Sequence, residues 1–309
     1  MRWRLLGRIL QEIGWVRLAF LAPVVVAALG RVLLLAGPHP QGRWVLAIGM
    51  AALVASAHRQ RDDLRFLAIS APRYRAWLAV EYVLWALPVV VGLLGFRAWG
   101  AAVLTLALVP WVAWLPAARD ASRTQRRPRS IFRSEAFEWV SNWRRGVGLL
   151  WLVLLVGAVW QRSSPLGPVV ALVVWLLASA AAYGMPEPVS MLTVAARTPG
   201  RFLGRRLVLG WCYGGLTALP FLWLLYQGPA GRGGALAVAV AWLTLLGMVI
   251  LTKYAFYPNA LHIRTIQGLV MAVAVALPGH PVYPALLLAA LGGLIWQSQR
   301  RLRSVLGAR

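Results

Sequence analysis

Eight acidic residues stand among 309, few enough to weigh one at a time. Glu81 lies one turn inside an apolar run at 77–96. An ionisable group at that depth is costly and faces protein or water. Two readings stand for it. One is an ion pair near the inner interface with Arg75, Arg17 or Arg31. The other is a carboxylate that contacts substrate or a proton. Arg31, in the outer third of the first apolar run, either snorkels outward or lines a polar cavity. Asp62 and Asp63 are adjacent at a membrane edge. A carboxylate cluster can hold Mg²⁺ against substrate phosphates, but no second acidic pair follows at helical spacing. Helix capping and salt bridging to nearby Arg is the simpler role. Glu135 and Glu138 are three apart amid basic residues, and the same solvated role fits them. Glu187, in Met185-Pro186-Glu187-Pro188, reads as a turn residue.

The remaining chemistry-bearing residues are sparse. His39, His58, His262 and His280 are dispersed over both sides of the proposed membrane. Cys212 is the only cysteine and reads as a small buried apolar residue, so neither a disulfide framework nor a four-Cys metal site is possible. The chain contains no GxxxxGK[ST] phosphate loop and no GxSxG elbow. No catalytic, metal-binding or cofactor-binding residue is expected, and the chain does not read as an enzyme.

The elements that position these residues are apolar rods. Hydrophobic residues make up 60% of the chain and charged residues 13%, about half the share of a soluble domain. Ten apolar segments are read as spans: 15–37, 44–57, 77–96, 98–118, 146–161, 167–185, 207–227, 234–252, 266–278 and 282–297. The last pair also fits a re-entrant hairpin. The runs do not alternate as barrel strands do, and helices satisfy their own backbone in lipid. With both ends drawn inside, 27 of the 32 cations fall on one side. Four fall on the other (Arg43, Arg97, Arg162, Arg232), and Arg31 lies within a span. Cytoplasmic loops carry the Lys/Arg excess. The fold class is therefore all-α: a polytopic helical membrane protein with about ten transmembrane helices and both termini cytoplasmic.

The net charge of +24 sits in short loops and forms no basic face, which argues against nucleic acid. Anionic inner-leaflet lipid is the fitting partner, at about 1 kcal/mol per cation. Residues 1–14 read as an amphipathic interfacial helix, with Trp3 and Trp15 as headgroup anchors. No short apolar core with a small-residue cleavage site opens the chain, so a removable leader is not expected. Residues 15–118 form a first four-span unit, 119–145 a basic cytoplasmic connection, 146–252 a second four-span unit, and 253–309 a final helix pair with a basic tail. A weak internal repeat supports this division. A basic edge precedes a span proline by 13 residues in one half (Arg75, Pro88) and by 14 in the other (Arg206, Pro220). Pro23, Pro88, Pro110, Pro116 and Pro220 interrupt spans, either as ordinary kinks or as cavity borders. Trp44, Trp77 and Trp143 join Trp15 in an interfacial belt. Lys253-Tyr254-Ala255-Phe256-Tyr257-Pro258-Asn259 is distinctive, but no mechanism attaches to it.

The loop Arg61-Asp62-Asp63-Leu64-Arg65-Phe66-Leu67, followed by Pro72, the basic Arg73 and Arg75, and Glu81-Tyr82 with Pro88, carries a resemblance over residues 59–88. It resembles the first cytoplasmic loop and following span of Ecs-type and related permease subunits of bacterial ATP-binding-cassette exporters. In that family Asp-x-x-Phe-Leu and a proline-containing turn lead into the next span, and Asp63, Phe66, Leu67 and Pro72 occupy those places. The resemblance implies a separate ATP-binding subunit, with ATP held by that partner and no cofactor in this chain. Its docking elements would be the loops 58–76 and 186–206. The implied coupling residues are Asp62, Asp63, Arg65, Phe66, Leu67, Pro72, Arg197 and Pro199. Ten spans exceed the six of the simplest exporters, which leaves open a homo- or hetero-dimer of permeases. Two other functions fit the residues alone: a polytopic enzyme acting on a lipid-linked substrate through Asp62, Asp63 or Glu81, and an ion-coupled transporter using Glu81. Substrate identity does not follow from the residues.

In a Cys212→Ala background, single cysteines placed within 119–145 should react with a membrane-impermeant maleimide only after the inner face is opened. Labelling of intact cells would invert the topology.

Overall fold

The computed structural model describes residues 15–59, 61, 63–116, 136–190, 192, 198–276 and 281–306. Among them every regular element is a helix: α1 (Trp15–Ala36), α2 (Pro40–Arg59), α3 (Leu64–Ser70), α4 (Tyr74–Gly95), α5 (Trp99–Trp111) with a 3₁₀ turn at Val112–Trp114, α6 (Phe137–Asn142), α7 (Gly148–Trp160), α8 (Leu166–Tyr183), α9 (Pro199–Gln227), α10 (Gly231–Ala255), α11 (Ala260–Ala276) and α12 (Tyr283–Leu306). Each of the ten apolar segments falls largely on a helix of its own. Four helices, α4, α8, α9 and α10, are long and apolar enough to cross a membrane. The chain is thus all-helical with membrane-spanning potential. The amphipathic stretch 1–14 and most of the connection 119–145 lie outside the described residues.

The chain divides into two compact units, one of residues 22–126 and one of residues 1–21 with 127–309. In the smaller unit α4 buries Leu78, Tyr82, Ala86, Val89, Val90 and Leu93, a stripe at three- and four-residue spacing. It packs on α2 and α5. The opposite face of α4 carries Trp77, Val80, Leu84, Trp85 and Val91, all exposed. A helix apolar on every side has no stable place in water, and hydrocarbon is the solvent that accepts it.

In the larger unit α10 is the central rod. From Leu245 to Ala255 it is buried without a break, surrounded by α8, α9, α11 and α12. Close approach to α9 depends on small residues four apart. A Cβ on Gly210 would run into Ile250 Cδ1, and one on Gly214 into Leu246 Cδ2. This small-residue seam is how apolar helices gain packing when lipid offers no hydrophobic drive.

Tryptophan ties these helices together. Trp175 Nε1 donates to Thr217 Oγ1, Trp151 Nε1 to the Thr217 carbonyl, Trp242 Nε1 to the Leu172 carbonyl and Trp211 Nε1 to the Leu243 carbonyl, all at 2.9 Å. An indole N–H has no alternative partner in hydrocarbon. These four serve as interhelical bolts, a role distinct from the interfacial belt. Replacing Thr217 by Val keeps the shape and removes one acceptor. Thermal unfolding of the detergent-solubilised chain should show a loss of about 1–2 kcal/mol, and an unchanged midpoint would remove the bolt's significance.

Candidate functional site

The loop between α2 and α4 is built around Arg61. Its Nε and Nη2 donate to Asp63 Oδ1 and Oδ2 at 3.0 and 2.9 Å, and its Nη1 donates to Glu81 Oε1 at 3.1 Å. A guanidinium fork matches a carboxylate in this two-point manner. Asp63 and Glu81 favour its charged form, against the burial that opposes it. Asp63 immediately precedes α3, and Glu81 lies in the second turn of α4. One side chain therefore pins the start of the short helix to the span that follows it. Sequence reasoning offers Arg75, Arg17 or Arg31 as the partner of Glu81; the structure adds Arg61 as one.

Helix α3 has an inner and an outer edge. Leu64 is buried in the unit's core and Leu67 is half-buried, while Phe66 and Ile69 are 62% and 89% exposed. The chain then turns within three residues. Ala71 N donates to the Leu67 carbonyl, Pro72 occupies the bend, and Tyr74 N donates to the Ala71 carbonyl as α4 begins. Asp63, Phe66, Leu67 and Pro72 thus come together on one small element. Arg65 belongs to the same helix, but its side chain lies outside the described residues. So does the whole of Asp62. Arg31 lies mid-helix in α1, half-buried.

Behind this loop His58, 1% exposed, joins α2 to α4 and to the end of the 3₁₀ turn. Its Nε2 lies 3.0 Å from the Leu115 carbonyl and its Nδ1 2.7 Å from Tyr82 Oη. A carbonyl only accepts, so Nε2 carries the proton there, and Tyr82 donates to Nδ1.

The loop between α8 and α9 is anchored differently. Glu187, read as a turn residue, is also buried: it is 6% exposed, Glu138 is 3%, and Lys253 between them is 1%. Lys253 Nζ lies 2.7 Å from Glu187 Oε1 and 3.1 Å from Glu138 Oε1. Arg206 closes the ring, 3.3 Å from Glu138 Oε2 and 3.7 Å from Glu187 Oε2. Tyr254 Oη donates to Glu187 Oε1 and Tyr257 Oη to the Glu187 carbonyl. Phe137 presents its ring to both cations. Two acids and two bases cancel, and all four carboxylate oxygens are committed. The arrangement holds position.

Local sequence explains how each member arrives. Gly146, at φ 89°, breaks the axis between α6 and α7, which lets α6 carry Glu138 inward. Pro199 is the first residue of α9, and Arg206 follows two turns later. Lys253 sits in the last turn of α10, where the helix C-terminus favours a cation. Arg197 lies outside the described residues. The partners are 66 and 115 residues apart, so no local pattern announces them. The only signal is the lone lysine itself, set at the end of an apolar run.

Among the described residues no three His, Cys, Asp or Glu side chains converge as a metal site. No family model, curated protein or solved structure matches the chain.

Removing one charge from the ring leaves the others buried and unbalanced. Lys253→Met should cost about 3–5 kcal/mol, and adding Glu187→Gln should recover part of it. Burial opposes the Glu187 charge, yet Lys253 and Arg206 hold its carboxyl below the ordinary value of 4.5. Its stabilisation is therefore complete above that value and is lost as pH falls through the depressed one. Equilibrium unfolding below pH 4.5 should be less pH-dependent in Glu187→Gln than in the unaltered chain. Equal dependence would mean that Glu187 is not held as a buried anion.

Proposed function

We propose that this chain is the transmembrane permease subunit of an ATP-binding-cassette exporter of the bacterial inner membrane. It crosses about ten times with both termini inside. A separate ATP-binding subunit docks on its inner loops and supplies the energy. The observation that carries this reading is α3. It presents Phe66 and Ile69 outward and is fixed to the α4 span by the Arg61 fork and a three-residue turn.

The physical requirement of such a subunit is a stiff handle. A force applied at the loop must reach a span before the loop yields. An exposed apolar pair suits the centre of a protein interface, and the ion pairs convert its displacement into movement of α4. In the second loop, the ring formed by Glu187, Lys253, Glu138 and Arg206 gives α9 and α10 the same stiffness. Alternating access then follows from rocking of the bundle. The lack of a phosphate loop in the sequence agrees with a division of labour between two chains.

Co-expression with the ATP-binding protein encoded beside it tests the reading. Phe66→Glu with Ile69→Glu should weaken copurification about 30-fold or more. Arg61→Gln should leave binding intact and lower ATP-driven transport in proteoliposomes on the order of tenfold. If no ATPase copurifies and none stimulates transport, the reading fails. Activity without an ATPase that is lost in Asp63→Asn or Glu81→Gln would indicate instead a lipid-directed enzyme or an ion-coupled transporter.

A further inference from the structure

All eight acids belong to inner loops or to the inner ends of spans. The outer connections, 37–43, 96–98, 161–166, 228–232 and 279–281, contain neither Asp nor Glu. The four outer arginines consequently have no acidic residue near them in sequence. Two of them, Arg43 and Arg97, line one cavity of about 300 Å³ together with Pro40, Trp44, Trp99 and Gly100. That volume is at the lower end for a small-ligand site.

Three features mark this cavity as built for an anion. Arg43 spends its Nε on the Gly37 carbonyl at 2.8 Å, which fixes the guanidinium and leaves its Nη donors available. Among the described residues neither guanidinium has an ionic partner. Arg97 holds a left-handed backbone at φ 54°, alone among the described non-glycine residues. This is the left-handed residue that ends α4, with Ala98 N closing back on the last turn of that helix. Its position is fixed, because Arg97 N donates to the Leu94 carbonyl and Ala98 N to the Leu93 carbonyl, each at 2.9 Å. Trp44 and Trp99 flank the cavity and are partly exposed, as indoles are at the headgroup level of a bilayer.

We infer that this cavity binds the phosphodiester headgroup of an outer-leaflet phospholipid, with Arg43 and Arg97 on the phosphate oxygens and the two indoles beside the glycerol region. Two arginines on one phosphate form charge-assisted hydrogen bonds of the strong kind. The site rests on the membrane placement proposed above and is independent of any ATPase.

The test uses the full chain purified in detergent and three probes: dioctanoyl phosphatidylglycerol, dioctanoylglycerol and inorganic phosphate. The phospholipid should raise the thermal midpoint saturably and remain bound in native mass spectrometry. Dioctanoylglycerol, with the same chains and no phosphate, should do neither, and inorganic phosphate should not at equal concentration. Arg97→Asn removes the guanidinium while Asn accepts the left-handed backbone, so the variant should fold and bind about tenfold more weakly. Arg232→Gln, an outer arginine set against Tyr226, should bind as the unaltered chain does. Undiminished binding by Arg97→Asn overturns the site. Equal response to dioctanoylglycerol overturns the role of phosphate, and equal response to inorganic phosphate overturns the lipid. A chain absent from the membrane fraction would instead overturn the membrane placement.

Discussion

Among the described residues the charges buried in this bundle are paired, and the pairing of Lys253 is the interaction on which the larger unit depends. Four segments distant in sequence (α6, the segment before α9, α9 itself and the end of α10) each bring one charge to a common point. None of those charges is tolerable there alone. The ring therefore acts as a test of correct assembly: the segments reach low energy together or not at all. Replacing it with apolar residues of like volume need not destabilise the fold, so what it contributes is a single register of helices.

The smaller unit solves the same problem more openly. Arg61 is part-exposed, so its pairs add little to global stability. Their value is geometric. A bidentate hold on Asp63 and a third bond to Glu81 leave α3 few ways to move without α4. Both loops thus end in electrostatic clamps on apolar helices. The connections 37–43 and 96–98 carry no acids, and the proposed counter-charge for Arg43 and Arg97 is lipid phosphate. In the topology proposed above, this asymmetry would put the acids and their clamps inside and arginines without neighbouring acids outside.

Much of this is legible in the residues and part is not. The apolar runs coincide with helices because hydropathy and backbone satisfaction in lipid act on the same stretch of chain. Helix ends escape the hydropathy pattern where polar residues continue the spiral. α9 starts at Pro199, before the apolar run at 207, because proline suits the first turn and Arg201, Arg205 and Arg206 extend it. α12 runs on to Leu306 through Arg300, Arg301 and Arg303 for the same reason. Glu187 misleads because its two flanking prolines signal a turn and say nothing about what lies behind the turn. Glu138 misleads because the arginines near it in sequence suggest solvent, whereas its partners in space are Arg206 and Lys253. His58 and Tyr82 meet across 24 residues with no periodic cue. Pairings of this range are decided by packing, which a single sequence does not display.

The central claim is that the edge of α3 bearing Ile69 is a cytoplasmic handle gripped by another chain. Position 69 changed to cysteine, in a Cys212→Ala background, tests it in inside-out vesicles that contain the ATP-binding protein. A short bifunctional crosslinker should join the two chains through that cysteine, with a yield that changes on adding ATP. Modification of the same cysteine from the outside of sealed cells, or the absence of any crosslink despite active transport, would contradict the claim.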